Sequence, residues 1–170
     1  MIFRKPKKKD IDELIKLSKL FKKEYDWTDI VPIANIDTKD KAEDRLFGDN
    51  IKYILIAEEE ENMIGYLAVK KYEFEEDAGH EASILINKDY REKGLAKKMV
   101  NKLFQEIPKN IAVEAWVLKD NIPSIKTVRS LGFKFDRIFA EDERVKIYTK
   151  RGLKWANFLF NLTYYFFKIV

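Results

Sequence analysis

A chain of 170 residues, 46% of them hydrophobic, is long enough for one domain with a real core. It has no cysteine and a single histidine, which excludes a disulfide framework, a thiolate nucleophile and a cysteine- or histidine-rich metal cluster, so no metal is expected. A net charge of +4 in a chain that is 36% charged does not itself call for nucleic acid.

Met1-Ile2-Phe3-Arg4 reads as a first strand without the long apolar run of a signal peptide, and a cytoplasmic protein is expected. Pro6 ends the strand, and Lys5, Lys7, Lys8 and Lys9 read as a solvated loop. Asp10 is placed to cap a helix whose apolar face is Ile11, Leu14, Ile15, Leu17, Leu20 and Phe21, with Lys16, Lys19, Lys22 and Lys23 outside. Residues 25–37 mix aromatics with Asp26, Asp29, Pro32 and Asn35 and read as a loop or broken helix, after which Thr38 caps a short helix ending at Gly48. Two strand-like runs, 51–57 and 64–74, flank the polar tip Glu58-Glu59-Glu60-Glu61-Asn62-Met63, whose glutamates are expected in a solvated hairpin turn. A second acidic cluster, Glu73, Glu75, Glu76 and Asp77, precedes the fourth strand and would draw a cationic substrate to that edge.

The fourth strand ends in the apolar run Ile84-Leu85-Ile86, fit for a buried strand, and a polar turn opens a third helix. Leu95, Met99, Val100, Leu103 and Phe104 recur there at helical spacing, and Pro108 closes it. A fifth strand over 111–118, a helix over 123–131 and an antiparallel pair over 133–140 and 144–149 follow. The order is strand, two helices, three strands, helix, strand, helix, two strands, an α/β (α+β) sheet with helices packed on it. Residues 151–170 form a separate C-terminal extension. As a helix it would place Lys154, Asn157, Asn161, Tyr164 and Lys168 on a narrow stripe opposite Trp155, Leu159, Leu162, Phe166 and Ile169. So broad an apolar face is expected to pack on the domain or in a homodimer, with peripheral membrane contact through residues 153–170 as the alternative.

The turn before the third helix reads Arg91-Glu92-Lys93-Gly94-Leu95-Ala96. A glycine and a small residue at the first helical turn leave the backbone N–H groups open to an anion, a phosphate or pyrophosphate, which the helix dipole favours. Arg91, Lys93, Lys97 and Lys98 add positive charge. The alternative is an ordinary strand-to-helix connection whose glycine merely makes the turn.

Arg91, Gly94 and Ala96 fill the pattern Arg or Gln, two residues, Gly, one residue, Gly or Ala, and in this the chain resembles the GNAT superfamily of acyl-CoA-dependent N-acetyltransferases. A second family pattern is met after the fifth strand by Asn121, Ser124, Gly132 and Phe133, with Val128 where the family carries a tyrosine; Lys88 stands where a proline is common. The resemblance covers residues 1–150 and implies a single mixed, mostly antiparallel sheet of about seven strands, helices on both faces, and a splay between the fourth and fifth strands. It implies acetyl-CoA as co-substrate, with the pyrophosphate on the turn Arg91, Glu92, Lys93, Gly94, Leu95 and Ala96. The thioester would lie in the splay beside the backbone of Ile84, Leu85 and Ile86, and Asn121 near the pantetheine end. Tyr25, Trp27 and Phe47 would wall the amine pocket, with packing against the core as the alternative.

An alkylamine is mostly protonated at neutral pH, so attack on a thioester needs a base. Glu114 interrupts the apolar fifth strand, and alternation puts it on one face with Trp116, aligned with a catalytic glutamate of protein N-terminal acetylases in the superfamily. His80 matches the strand place where other members carry a catalytic glutamate, and Glu81 is one residue off it. The competing readings are a structural ion pair for Glu114 and a surface position for His80. With Val128 at the tyrosine place, Tyr148 or solvent would supply the acid. The resulting expectation is an N-acetyltransferase acting on a primary amine of a small molecule or protein, set against a catalytically silent acyl-CoA-binding sensor or scaffold.

Overall fold

The computed structural model describes residues 1–24, 35–71, 80–138 and 143–150. Its elements in chain order are β1 (Ile2–Arg4), α1 (Asp10–Glu24), α2 (Lys39–Phe47), β2 (Ile51–Glu59), β3 (Asn62–Lys71), β4 (His80–Ile86), α3 (Leu95–Leu103), β5 (Val113–Leu118), α4 (Ile122–Ser130), β6 (Lys134–Ile138) and β7 (Val145–Lys150). One sheet orders them β1-β2-β3-β4-β5-β7-β6. All pairs are antiparallel except β4 with β5. The expected element order and the mixed, mostly antiparallel sheet are both present.

Strand alternation divides the core between the two faces. Leu55, Ala57, Leu67, Val69, Val113, Ala115 and Val117 pack with α3 residues Leu95, Met99, Val100 and Leu103 and with Ile125 of α4. On the other face Ile54, Ile56, Tyr66, Ala68 and Leu85 pack with Leu14 and Leu17 of α1 and Ala42 and Leu46 of α2. Gly65 lets α3 lie close, because a Cβ there would sit 2.9 Å from Met99 Sδ and 3.1 Å from Ile86 Cδ1. Thr38 caps α2 as expected, accepting from Lys41 N–H.

Several local expectations are corrected. The β2–β3 hairpin closes on two residues, Glu60 and Glu61, both at positive φ, and not on a six-residue tip. Glu58 is therefore a strand residue, buried beside Arg4, and not part of a solvated turn. Asp10 does not cap α1. Its carboxylate turns back to take two hydrogen bonds from Arg4 and one from Lys7 N–H, because a buried guanidinium needs a counter-charge. On α1 the core takes Ser18, which accepts from Ile36 N–H, while Leu20 is exposed. The acidic run at 73–77, Tyr25, Trp27 and the extension 151–170 lie outside the described residues. Among the described residues no helix is long and apolar enough to cross a membrane.

Candidate functional site

The parallel pairing of β4 with β5 lasts three rungs, His80 with Val113, Glu81 with Glu114 and Ala82 with Ala115, and then stops. Beyond it Ser83–Ile86 keep their β3 partners while Trp116–Leu118 keep theirs on β7, so a gap opens within a continuous sheet. Asn87 N–H bonds Ile64 O at 3.0 Å, which sets the antiparallel alternation along β4. Leu85 and Ser83 direct their backbone groups to β3; Ile84 and Ile86 direct theirs into the gap. Ile84 is correspondingly exposed, against the expectation of a fully buried run, because β5 has left its side. Of the gap-facing carbonyls, that of Ile86 accepts from Arg91 Nε at 3.0 Å.

The chain leaves β4 through a single 3-10 turn, Lys88–Tyr90, and enters α3 from Gly94 at φ 75°. No side chain caps that end. The first helical bond runs from Lys98 N–H to Gly94 O, which leaves the N–H groups of Leu95, Ala96 and Lys97 directed out of the helix end. A Cβ on Gly94 would meet nothing within 4 Å, so the approach to these donors is open. Glu92 also takes a positive φ, bending the turn around the same space. The residues fit a pyrophosphate by donor supply, dipole and room. Arg91 is not aimed there: its guanidinium spans Ile86 O, Glu24 at the end of α1 and the Phe21 ring. Asn121 caps α4, its Oδ1 accepting from Ser124 N–H at 3.1 Å, which leaves the Nδ2 group out of the cap.

α3 and α4 cover one face of the sheet and α1 and α2 the other, so the gap is open to a different neighbour on each side. Glu114 is on the α1/α2 face, buried, with Oε1 accepting from Arg137 Nη2 at 2.9 Å and Oε2 from Trp116 Nε1 at 3.2 Å. The ion pair weighed as the alternative reading for Glu114 is thus present, with Arg137 reaching from β6 across β7. Burial works against the Arg137 charge, but the hydrogen bond and charge of Glu114 outweigh it and hold the guanidinium above its ordinary value. Glu81 and Ser83 share this face, Ser83 Oγ donating to Glu81 Oε1 at 3.2 Å. His80 falls on the opposite face beside Val113, its Nδ1 buried without a partner. Burial, then Lys71 and Lys52, lowers its pKa and favours the neutral ring. Glu114 and His80 are therefore not brought together. Val128 packs in the α3/α4 core, and Tyr148 lies under α4 with Arg129 over its ring. Sequence reasoning missed Arg137 and Ser83. Alternation from Leu85 would have found Ser83, whereas nothing local marks Arg137, because its reach depends on β7 inserting between β5 and β6.

A split sheet whose gap leads to a glycine-led, uncapped helix is the arrangement of an acyl-CoA-dependent acyltransferase fold. The chain belongs to the acetyltransferase (GNAT) family, whose model matches residues 14–133. No curated protein matches it. Among solved structures it is similar to an acetyltransferase of the GNAT family from Streptococcus pneumoniae, at 18% identity over 88% of this chain and 97% of that one, with a TM-score of 0.70. The ribosomal-protein-alanine N-acetyltransferase of Brucella melitensis is 16% identical over 89% and 99%, TM-score 0.71. The PaiA N-acetyltransferase of Thermoplasma acidophilum, solved in complex with coenzyme A, is 20% identical over 88% and 98%, TM-score 0.66. At these identities the likeness is one of fold.

Proposed function

We propose that the chain is a cytoplasmic N-acetyltransferase that moves the acetyl group of acetyl-CoA to a primary amine of a small molecule or protein. The observation that carries this is the gap between β4 and β5, with the unbonded backbone of Ile84 at its edge and the open α3 terminus at its mouth. The N–H groups of Leu95, Ala96 and Lys97 hold the pyrophosphate, and the Ile84 and Ile86 N–H groups hold the pantetheine arm and polarise the thioester carbonyl. The amine enters from the α1/α2 face. Once the ammonium has given up one proton, its nitrogen bonds to the carbonyl carbon, the carbon–sulfur bond breaks, and the second nitrogen proton passes through solvent to the departing thiolate. The proton lost by the ammonium passes through a water to Glu114, whose carboxylate is held in place by Arg137 and Trp116.

The test is calorimetric titration with acetyl-CoA followed by mixing with a panel of amines while free thiol is measured. Binding with thiol release is expected, and Glu114→Gln should keep binding but lower turnover by roughly 10²-fold or more. Binding without release under every amine would make the chain an acyl-CoA sensor or scaffold. Loss of turnover in His80→Ala alone would move the base to the other face.

A further inference from the structure

The last rungs before the gap place two carboxylates side by side. Glu81 and Glu114 are register partners, so their Cα atoms lie about 4.8 Å apart, the ordinary spacing of neighbouring strands. No register shift interrupts the β3–β4 ladder, so alternation runs unbroken from Leu85 through Ser83 to Glu81, and all three share the face of α1 and α2. Like charges opposite one another disfavour a sheet unless something compensates them. For Glu114 that compensation is built in, through Arg137 and Trp116. Glu81 has only the hydroxyl of Ser83 among the described residues. Lys70, its register partner on β3, forms no ion pair with it. Glu81 is half-buried, and one step along, at Ser83, β5 has already departed.

We infer that Glu81 binds the ammonium group of the acceptor, which makes cationic primary amines the preferred substrate class. This rests on the acetyl-transfer reading and deepens it. The free oxygen of Glu81 supplies the lone pairs that an ammonium needs, while the Ser83 hydroxyl fixes the carboxylate in orientation. Glu114 cannot be the docking carboxylate, because Arg137 already satisfies its charge. The two residues divide the work. Glu81 selects and holds the cation, and Glu114 accepts the proton when the amine attacks.

Steady-state kinetics of the full chain with butylamine, a cation at neutral pH, and with p-anisidine, which is neutral there, test the division. Glu81→Gln should raise KM for butylamine by roughly tenfold or more, the scale of a lost charge-assisted hydrogen bond, with kcat nearly kept. It should leave KM for p-anisidine and the affinity for acetyl-CoA unchanged, and Glu81→Asp should recover part of the loss. An unchanged KM for butylamine overturns the inference, as does a loss shared equally by p-anisidine and acetyl-CoA, which would make Glu81 structural. If the parent protein releases no thiol with any amine, the transfer reading fails. Saturation-transfer NMR of butylammonium with coenzyme A present then decides, since signal from the parent and not from Glu81→Gln upholds the site and equal signals overturn it.

Discussion

Gly94 is the single position on which coenzyme affinity should turn. At φ 75° a branched side chain is strained by about 1–2 kcal/mol, and it would occupy space beside the α3 start that is empty within 4 Å of its Cβ. Gly94→Val should therefore abolish acetyl-CoA binding in calorimetry while costing the fold only that strain. Gly94→Ala shares the backbone strain without the branch, so retained binding in Ala and lost binding in Val would isolate obstruction as the cause. Equal, undiminished binding in both would remove the helix end from the site. Gly94 and Ala96 are legible in the sequence because their chemistry is local, a turn and a helix start within six residues. The same stretch does not show where the Arg91 side chain goes. Its charge suggests an anion contact, yet its neighbours in space, Glu24, Phe21 and Ile86 O, are settled by how α1 packs on β4.

Elements were legible where one face alone is apolar. The α3 positions Leu95, Met99, Val100 and Leu103 are all buried, and both β6 and β7 form where alternation places them. The β2–β3 hairpin was legible but its two-residue turn was not, because a run of four glutamates does not mark which two turn, and Glu60 and Glu61 adopt a positive φ that Asn or Gly would advertise. What fixes that tip is the pairing of β1 with β2, which brings Arg4 against Glu58 and Asp10. Hydrogen bonds from Arg4 and Lys9 hold the Glu58 carboxyl at about 2, well below its ordinary value near 4.5. Between those two values the unfolded chain binds the proton and the folded chain does not, so this contribution is whole above pH 4.5 and is lost as pH falls towards 2. Glu58→Gln should accordingly be less stable than the parent at neutral pH, and the difference in urea midpoint should shrink through that window. A difference that stays constant from pH 7 to 2 would mean that the pair does not contribute as a charge pair.

The whole molecule is two half-sheets, β1-β2-β3-β4 and β5-β7-β6, joined edge to edge by three parallel rungs. Each half has its own ladder and the two share the core under α3 and α4, but Ile84 and Ile86 belong to one half with their backbone groups directed at the departing edge of the other. A strand edge without a partner is costly unless water or a ligand completes it. An extended amide-bearing chain such as the pantetheine arm of acetyl-CoA is the missing strand in chemical terms, so binding should stabilise the join as well as fill a site. At a ligand concentration about 100 times Kd the linkage gain is about 2.7 kcal/mol, which for a chain of this length corresponds to a rise in Tm of about 5–10 °C. The location of that gain is testable by amide hydrogen exchange. Acetyl-CoA should slow exchange at Ile84 and Ile86, whose N–H groups face the gap, and at Leu95, Ala96 and Lys97 at the helix end. Leu85, already bonded to β3 by the alternation that Asn87 and Ile64 set, should change little. A rise in Tm without added protection at Ile84 and Ile86 would show that the coenzyme binds away from the join, and that the gap is a feature of the fold and not of its chemistry.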